Sequence, residues 1–146
     1  MDRLTPFQEA AQEVITERTA AVFKHDRRGV LDLGDIERVH KMRVATRRLR
    51  AALEVFAPAL DRRGGKSALK GVKSLAEALG ERRDRDVALE ALEALQHETA
   101  GAESRAVGIL VAELRDEQQR ANAELGYALG RLRHDRLKRR LERLAR

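Results

Sequence analysis

Apolar residues recur along most of the chain at the spacing of an α-helix, and this periodicity limits the possible folds more than any other feature. The longest run in helical phase extends from Val107 to Leu132. Signals for β-strands are nearly absent, because β-branched residues are scattered and no alternating apolar–polar run extends beyond a few positions. The sequence therefore predicts an all-α protein, an antiparallel helical bundle with short loops.

Prolines, glycines and capping residues predict where the helices begin and end. The expected segments are a first helix from about Pro6 to His25, a second from Asp35 to Pro58, a loop at 61–65, a third helix from about Ser67 to Leu79 ended by Gly80, and a fourth from Asp84 or Asp86 to Leu95. Gly101 separates these from a long final segment, with a break at His134 and Asp135, where the leucines leave phase. Residues 1–146 are thus expected to form a single bundle domain of about four to five helices.

Composition excludes several classes of protein and of site. The chain has no Cys, so disulfides, thiolate metal sites and cysteine nucleophiles are impossible. Aromatic residues make up only 3% of the chain, which argues against stacking on unpaired bases. The early charged residues leave no room for a secretory leader, and the apolar stretches are too short to span a bilayer. A cytoplasmic protein without a membrane segment is the expectation.

The net charge of +6 is concentrated in two parts of the sequence. Residues 36–73 hold 11 basic and 3 acidic side chains, and residues 131–146 hold 8 and 2. The remainder of the chain carries a negative balance. A cationic surface on an acidic scaffold points to an anionic partner.

The first basic segment is amphipathic in an unusual way. On a helical wheel its core face is formed by Met42, Ala45, Leu49, Ala52, Leu53 and Phe56. His40, Arg43, Arg47 and Arg50 follow at i, i+3, i+7 and i+10, within about 80° of one another and away from that face. A lysine stripe that includes Lys70 and Lys73 lies on the next helix, so antiparallel packing would place both stripes along one groove.

Two interpretations of these stripes remain open from spacing alone. Arginine binds phosphate oxygens bidentately, and a row of arginines one helical turn apart suits a repeating anion. Alternatively, an acidic stripe on the first helix, formed by Glu9, Glu13 and Glu17, neutralises the arginines inside the bundle. The first interpretation predicts a phosphate-binding groove, and the second a purely structural set of ion pairs.

The sequence gives little indication of an active site. No pattern pairs a nucleophile with a base, and the four histidines are dispersed. Asp84 and Asp86 are hard ligands that could hold Mg²⁺, but helix capping and pairing with neighbouring arginines explain them more simply. The expectation is a protein that binds without catalysing, with no metal and no cofactor.

Two motifs resemble a known family. The run from His40 to Arg50, HKMRVATRRLR, is similar to the H-x-x-R-V-x-x-R-R-L-R signature of CHAD domains, helical domains named for a characteristic histidine. The stretch from Val72 to Val87, with VKSLA, LG, RD and DV in order, resembles a second motif of that family. The resemblance implies an all-helical fold and binding of inorganic polyphosphate in a basic cavity.

The resemblance also implies binding residues. Carried over by position, they are His40, Arg43, Arg47 and Arg50 from the first motif, with Lys73 and Arg83 from the second. Arg48, Lys70 and Arg82 are added because of their charge and proximity, not because of the motifs.

The chain departs from the family in carrying a single signature. CHAD domains usually contain two similar helical halves that face each other across the cavity, whereas this chain resembles the first half. Its end, from His134 to Leu141, is basic but lacks the signature's order. We therefore expect half of a CHAD-type fold, completed by a two-fold homodimer.

Three functions follow as hypotheses. The favoured one is a polyphosphate-binding module, located in the cytoplasm and associated with polyphosphate granules. The alternatives are a bundle that binds the nucleic-acid backbone, and a structural helical oligomer whose arginines are paired internally.

Overall fold

The structure is a computed structural model that describes residues 3–146, a range in which every regular element is a helix. The elements are α1 (Pro6–Phe23), α2 (Arg27–Val30), α3 (Ile36–Val55), a 3₁₀ turn (Ala57–Ala59), α4 (Arg62–Glu98), α5 (Gly101–His134) and α6 (Leu137–Leu144). The predicted all-α helical bundle is confirmed, although residues 3–146 form six α-helices where about four to five were expected.

Side-chain caps fix the beginnings of the first three long helices. Thr5 and Gln8 form a capping box before Pro6, which occupies the first turn of α1. The carboxylate of Asp35 accepts from the backbone N–H of Arg38 at 3.4 Å and begins α3. Asp61 accepts from the N–H of Gly64 at 2.8 Å and begins α4. The predicted starts at Pro6 and Asp35 are therefore confirmed.

Two predicted breaks within α4 are wrong. Residues 61–65 are not a loop, because Asp61 is an N-cap and the paired glycines lie in the first turns of the helix. Gly80 does not end a helix, and Asp84 and Asp86 do not begin one, because α4 continues to Glu98. Glycine inside a helix costs about 1 kcal/mol. That cost is offset here because the buried residues before and after Gly80 keep one continuous helical phase and pack into the core.

The core lies between α1, α3, α4, α5 and α6, and α2 adds Val30. Its fully enclosed members are Ile15, Val22, Val30, Val39, Leu49, Ala68, Val72, Leu75, Leu79, Leu125, Leu137 and Leu141. The distal parts of α4 and α5 form a hairpin held by a second, smaller apolar cluster of Leu89, Val107 and Val111. The bundle therefore carries a two-helix extension at one end.

The predicted break near His134 is confirmed. Arg136 adopts a left-handed conformation with φ 55°, which ends the helical path of α5 and redirects the chain into α6. α6 then packs against α1, α4 and α5, burying Leu137 and Leu141. This short helix closes the bundle beside the N-terminal turns of α4.

Candidate functional site

α3 presents two different faces because its apolar and basic residues are out of phase. Its buried residues are Val39, Met42, Thr46, Leu49, Ala52 and Leu53. Four of them belong to the predicted core face, whereas the predicted Ala45 and Phe56 are only partly buried against the core. The one polar member, Thr46, donates its hydroxyl to the carbonyl of Met42 at 2.7 Å and so remains hydrogen-bonded inside the core. This packing fixes the rotation of α3 and leaves the basic row at the edge of the core.

His40, Arg43, Arg47 and Arg50, here called the α3 row, lie along one side of α3 as predicted. His40 and Arg43 are half-buried, whereas Arg47 and Arg50 are exposed. A Cβ placed on Gly80 would lie 3.9 Å from Nε of Arg43, so the guanidinium of Arg43 rests against α4 where that helix has no side chain. The α3 row therefore borders the line of contact between α3 and α4.

The contact between Arg43 and Gly80 also gives the register of the two helices. A short 3₁₀ turn joins α3 to α4, so they run antiparallel with the same rise per residue. Arg50 follows Arg43 by seven residues, and Lys73 precedes Gly80 by seven, so Lys73 lies level with Arg50 to within about one turn. His40 precedes Arg43 by three residues and Arg83 follows Gly80 by three, so Arg83 lies level with His40. The two sequence motifs thus meet side by side.

Carboxylates do not neutralise most of this row. Among residues 3–146, no carboxylate oxygen lies within 4.0 Å of the charged nitrogens of Arg43, Arg47 or Arg48. Arg50 has a partner, since its Nε lies 3.1 Å from the carboxylate of Glu54, a pair close to half exposed on both sides. Exposed pairs of this kind are weak, so Arg50 remains open to exchange with an incoming anion.

The acidic stripe of α1 does not face the arginines. Glu9, Glu13 and Glu17 are all exposed, and Glu13 lies about 160° around the helix from the buried Ile15. Within the described range none of the three forms a salt bridge. The predicted internal neutralisation of the α3 row by this stripe is therefore absent from residues 3–146.

His40 has an unusual environment. Its Nδ1 is buried and lacks a hydrogen-bond partner among the described residues. An unpaired buried polar atom costs free energy. The packing of the bundle therefore holds the imidazole partly buried at the end of the α3 row, one helical turn before Arg43.

The structure separates the remaining predicted residues from the α3 row. Arg48 is exposed but lies about 140° around α3 from Arg43, on a different flank. Lys70 is exposed and lines a groove between α4 and α5. Arg82 is completely buried and paired with Asp86, so its predicted place at an exposed binding surface does not agree with the structure. Among the α4 candidates, Lys73 and Arg83 lie within about 60° of Gly80 around the helix, on the side that Arg43 contacts.

The sequence did not predict the groove between α4, α5 and α6. Its volume is about 780 Å³, and Ser67, Lys70, Glu81, Arg120, Arg131 and Arg140 are among the residues lining it. Its charges are nearly balanced, because glutamates of both long helices alternate with the basic side chains. This balance makes the groove less suited to a polyanion than the α3 row. The residues that form its walls are far apart in sequence, so the groove can be recognised only in the folded structure.

The acidic pair that could have bound Mg²⁺ does not converge. Asp84 is exposed, whereas the Asp86 side chain is enclosed and held by Arg82. In the part of the chain that the structure describes, no three His, Asp or Glu side chains are grouped so as to hold a metal ion.

Comparison with known protein families decides where the chain belongs. The model of the family described as the CHAD domain matches residues 13–146, which include the α3 row and all of α4. The chain belongs to the CHAD domain family. Curated proteins and solved structures gave no match to this CHAD domain. Over residues 3–146, none of its helices combines the length and apolar character needed to cross a membrane.

Proposed function

We propose that this CHAD domain binds inorganic polyphosphate along the α3 row. CHAD domains are associated in general with polyphosphate binding. The α3 row advances by three, four and three residues, which corresponds to about 5 Å per step and about 15 Å in all. A polymer with a phosphate at every unit can meet each of these side chains in turn.

The observation that carries the proposal is the absence of carboxylate partners for Arg43 and Arg47 within residues 3–146. Their guanidinium groups keep free N–H donors in the fork geometry that matches phosphate oxygens. Lys73 and Arg83 add positive charge from the neighbouring helix. His40 adds a ring nitrogen at the end of the row as a further hydrogen-bonding group.

The proposed activity is binding without catalysis. Arginine stays protonated in proteins and therefore serves as a donor and a charge, not as a general base. The α3 row is built mainly from such groups. Association with polyphosphate granules in the cytoplasm is the corresponding cellular role.

A competition experiment tests the proposal against nucleic-acid binding. Labelled DNA and labelled long-chain polyphosphate are each bound to the domain and displaced by the other, at matched phosphate concentration. We expect polyphosphate to displace DNA far more readily than the reverse, and Arg43→Gln/Arg47→Gln to abolish most of both signals. Preferential retention of DNA would favour the nucleic-acid alternative, and no binding of either polymer would overturn the proposal.

We also propose that two copies of the chain associate through a two-fold axis. CHAD domains usually place two basic halves across one cavity, and a second copy would set another α3 row opposite the first. Light scattering at micromolar concentration, with and without short-chain polyphosphate, tests this. A strictly monomeric species under both conditions would contradict dimerisation while leaving the binding proposal intact.

A further inference from the structure

α6 carries a second row of basic side chains with the spacing of the α3 row. Arg136, Arg139, Arg143 and Arg146 follow one another at three, four and three residues, as His40, Arg43, Arg47 and Arg50 do. Arg139 and Arg143 lie within α6, Arg136 is its N-cap, and Arg146 follows its C-cap. All four are exposed. We call them the α6 row.

The α6 row points away from the bundle. Arg139 and Arg143 each lie about 160° around the helix from the fully buried Leu141. None of the four arginines has a carboxylate within 4.0 Å among residues 3–146. The acidic residue of α6, Glu142, instead lies 4.0 Å from Lys138. Within that range the row is therefore a cationic surface without carboxylate partners, as Arg43 and Arg47 of the α3 row also are.

Contacts with α4 place the two rows on opposite sides of that helix. A Cβ on Gly71 would lie 3.1 Å from Cδ1 of Leu137, so α6 packs on the Gly71 side. Arg43 of α3 rests on the Gly80 side. Nine residues separate these glycines, which at 100° per residue puts them about 180° apart around α4. A short anion on one row therefore does not reach the other.

We propose that the α6 row is a second polyphosphate-binding surface, so that one molecule holds two separate segments of polymer and crosslinks chains. This inference rests on the proposed function of the α3 row. The ligand is a phosphate polymer because residues 136–146 offer guanidinium donors about one helical turn apart and contain no aromatic side chain on which a base could stack.

Two polymer lengths separate binding from crosslinking. Short-chain polyphosphate is titrated calorimetrically to obtain stoichiometry and affinity, and long-chain polyphosphate is mixed with the domain and followed by turbidity and light scattering. The variants are Arg139→Gln/Arg143→Gln in the α6 row and Arg43→Gln/Arg47→Gln in the α3 row. The matched control is Arg28→Gln/Arg105→Gln, which removes the same charge from exposed positions elsewhere.

We expect the unmodified domain and the Arg28/Arg105 control to form large particles with long chains. The α6 variant should bind about half as many short chains, keep its remaining affinity within about twofold, and form no large particles. If it crosslinks as the unmodified domain does, the inference is wrong, and dimerisation or wrapping of one chain accounts for the particles. If instead the α3 variant binds short chains with unchanged stoichiometry and affinity, the proposed function itself fails.

Discussion

Arg82 and Asp86 form an ion pair that the bundle encloses completely, with Nε 2.8 Å from Oδ1 and both side chains 0% exposed. Arg82 also donates to Oδ1 of Asn122 at 2.7 Å and to the carbonyl of Val30 at 3.3 Å. Gln118 donates to the same carboxylate oxygen of Asp86 at 2.7 Å. The pair thus ties α4 to α5 and to the end of α2, at the point where the hairpin leaves the main core.

Removing one partner of this pair should be far more damaging than removing both. Arg82→Leu leaves a buried carboxylate without its counter-charge, and we expect a loss of about 3–5 kcal/mol in the free energy of unfolding. Arg82→Leu/Asp86→Leu should lose substantially less, because no isolated charge remains. Urea denaturation measures both. A loss under about 1 kcal/mol in the single variant would show that the pair contributes little.

Arg82 also shows why part of the site could not be predicted from the sequence. Arg82, Arg83 and Arg85 stand close together, and composition gives no reason to bury one of them. Arg82 follows Leu75 by seven residues and therefore lies on the same, core-facing side of α4. A helical wheel of the whole of α4 would have indicated its burial. Because the sequence predicted that the helix ends at Gly80, Arg82 was not placed on that wheel. Burial of Arg82 depends on acceptors from α2 and α5 that only the assembled fold supplies.

The α3 row was predictable because one helix carries it. Local periodicity fixed the core face of α3 and therefore the side on which Arg43 and Arg47 lie. The positions of Lys70 and Lys73 were not separable in this way. They lie about 60° apart around α4, and only Lys70 lines the groove with α5. Which neighbouring helix packs beside each of them depends on the assembled fold, and no local pattern encodes it.

Single substitutions in the α3 row should weaken polyphosphate binding strongly. A charge-assisted hydrogen bond contributes about 1.5–3 kcal/mol, so Arg43→Ala or Arg47→Ala should each raise the Kd at least tenfold. Arg48→Ala is the matched control, since it removes the same charge from the same helix on another flank and should change the Kd less than threefold. Titration calorimetry measures all three. Equal effects at positions 47 and 48 would indicate a diffuse charge effect and no defined row.

Glycine replacement should report the continuity of α4. Because a Cβ at Gly80 would be 3.9 Å from Nε of Arg43, an ordinary contact, Gly80→Ala should stabilise the helix by up to about 1 kcal/mol and leave binding within twofold. Gly71→Ala should gain less or lose stability, because its Cβ would crowd Leu137 at 3.1 Å. Thermal melting compares them. A destabilised Gly80→Ala would contradict an unbroken helix at this position.

Acid should destabilise the fold through His25. Burial, followed by the nearby charges of Lys24, Arg38 and Lys41, lowers the pKa of His25. The unfolded chain therefore takes up the proton first, and stability falls as the pH drops through about 6.5 toward the lowered pKa. The free energy of unfolding should decrease between pH 8 and pH 5.5, and His25→Gln should reduce that decrease. The exposed His97→Gln is the control and should follow the unmodified protein.

His40 should contribute to polyphosphate binding from the end of the α3 row. Its imidazole is half-buried and lies one helical turn before Arg43. A hydrogen bond contributes about 0.5–1.5 kcal/mol, so we expect His40→Ala to raise the Kd about two- to tenfold. The exposed His97→Ala is the control and should change the Kd less than twofold. Titration calorimetry measures both variants, and an unchanged Kd in His40→Ala would remove this residue from the binding surface.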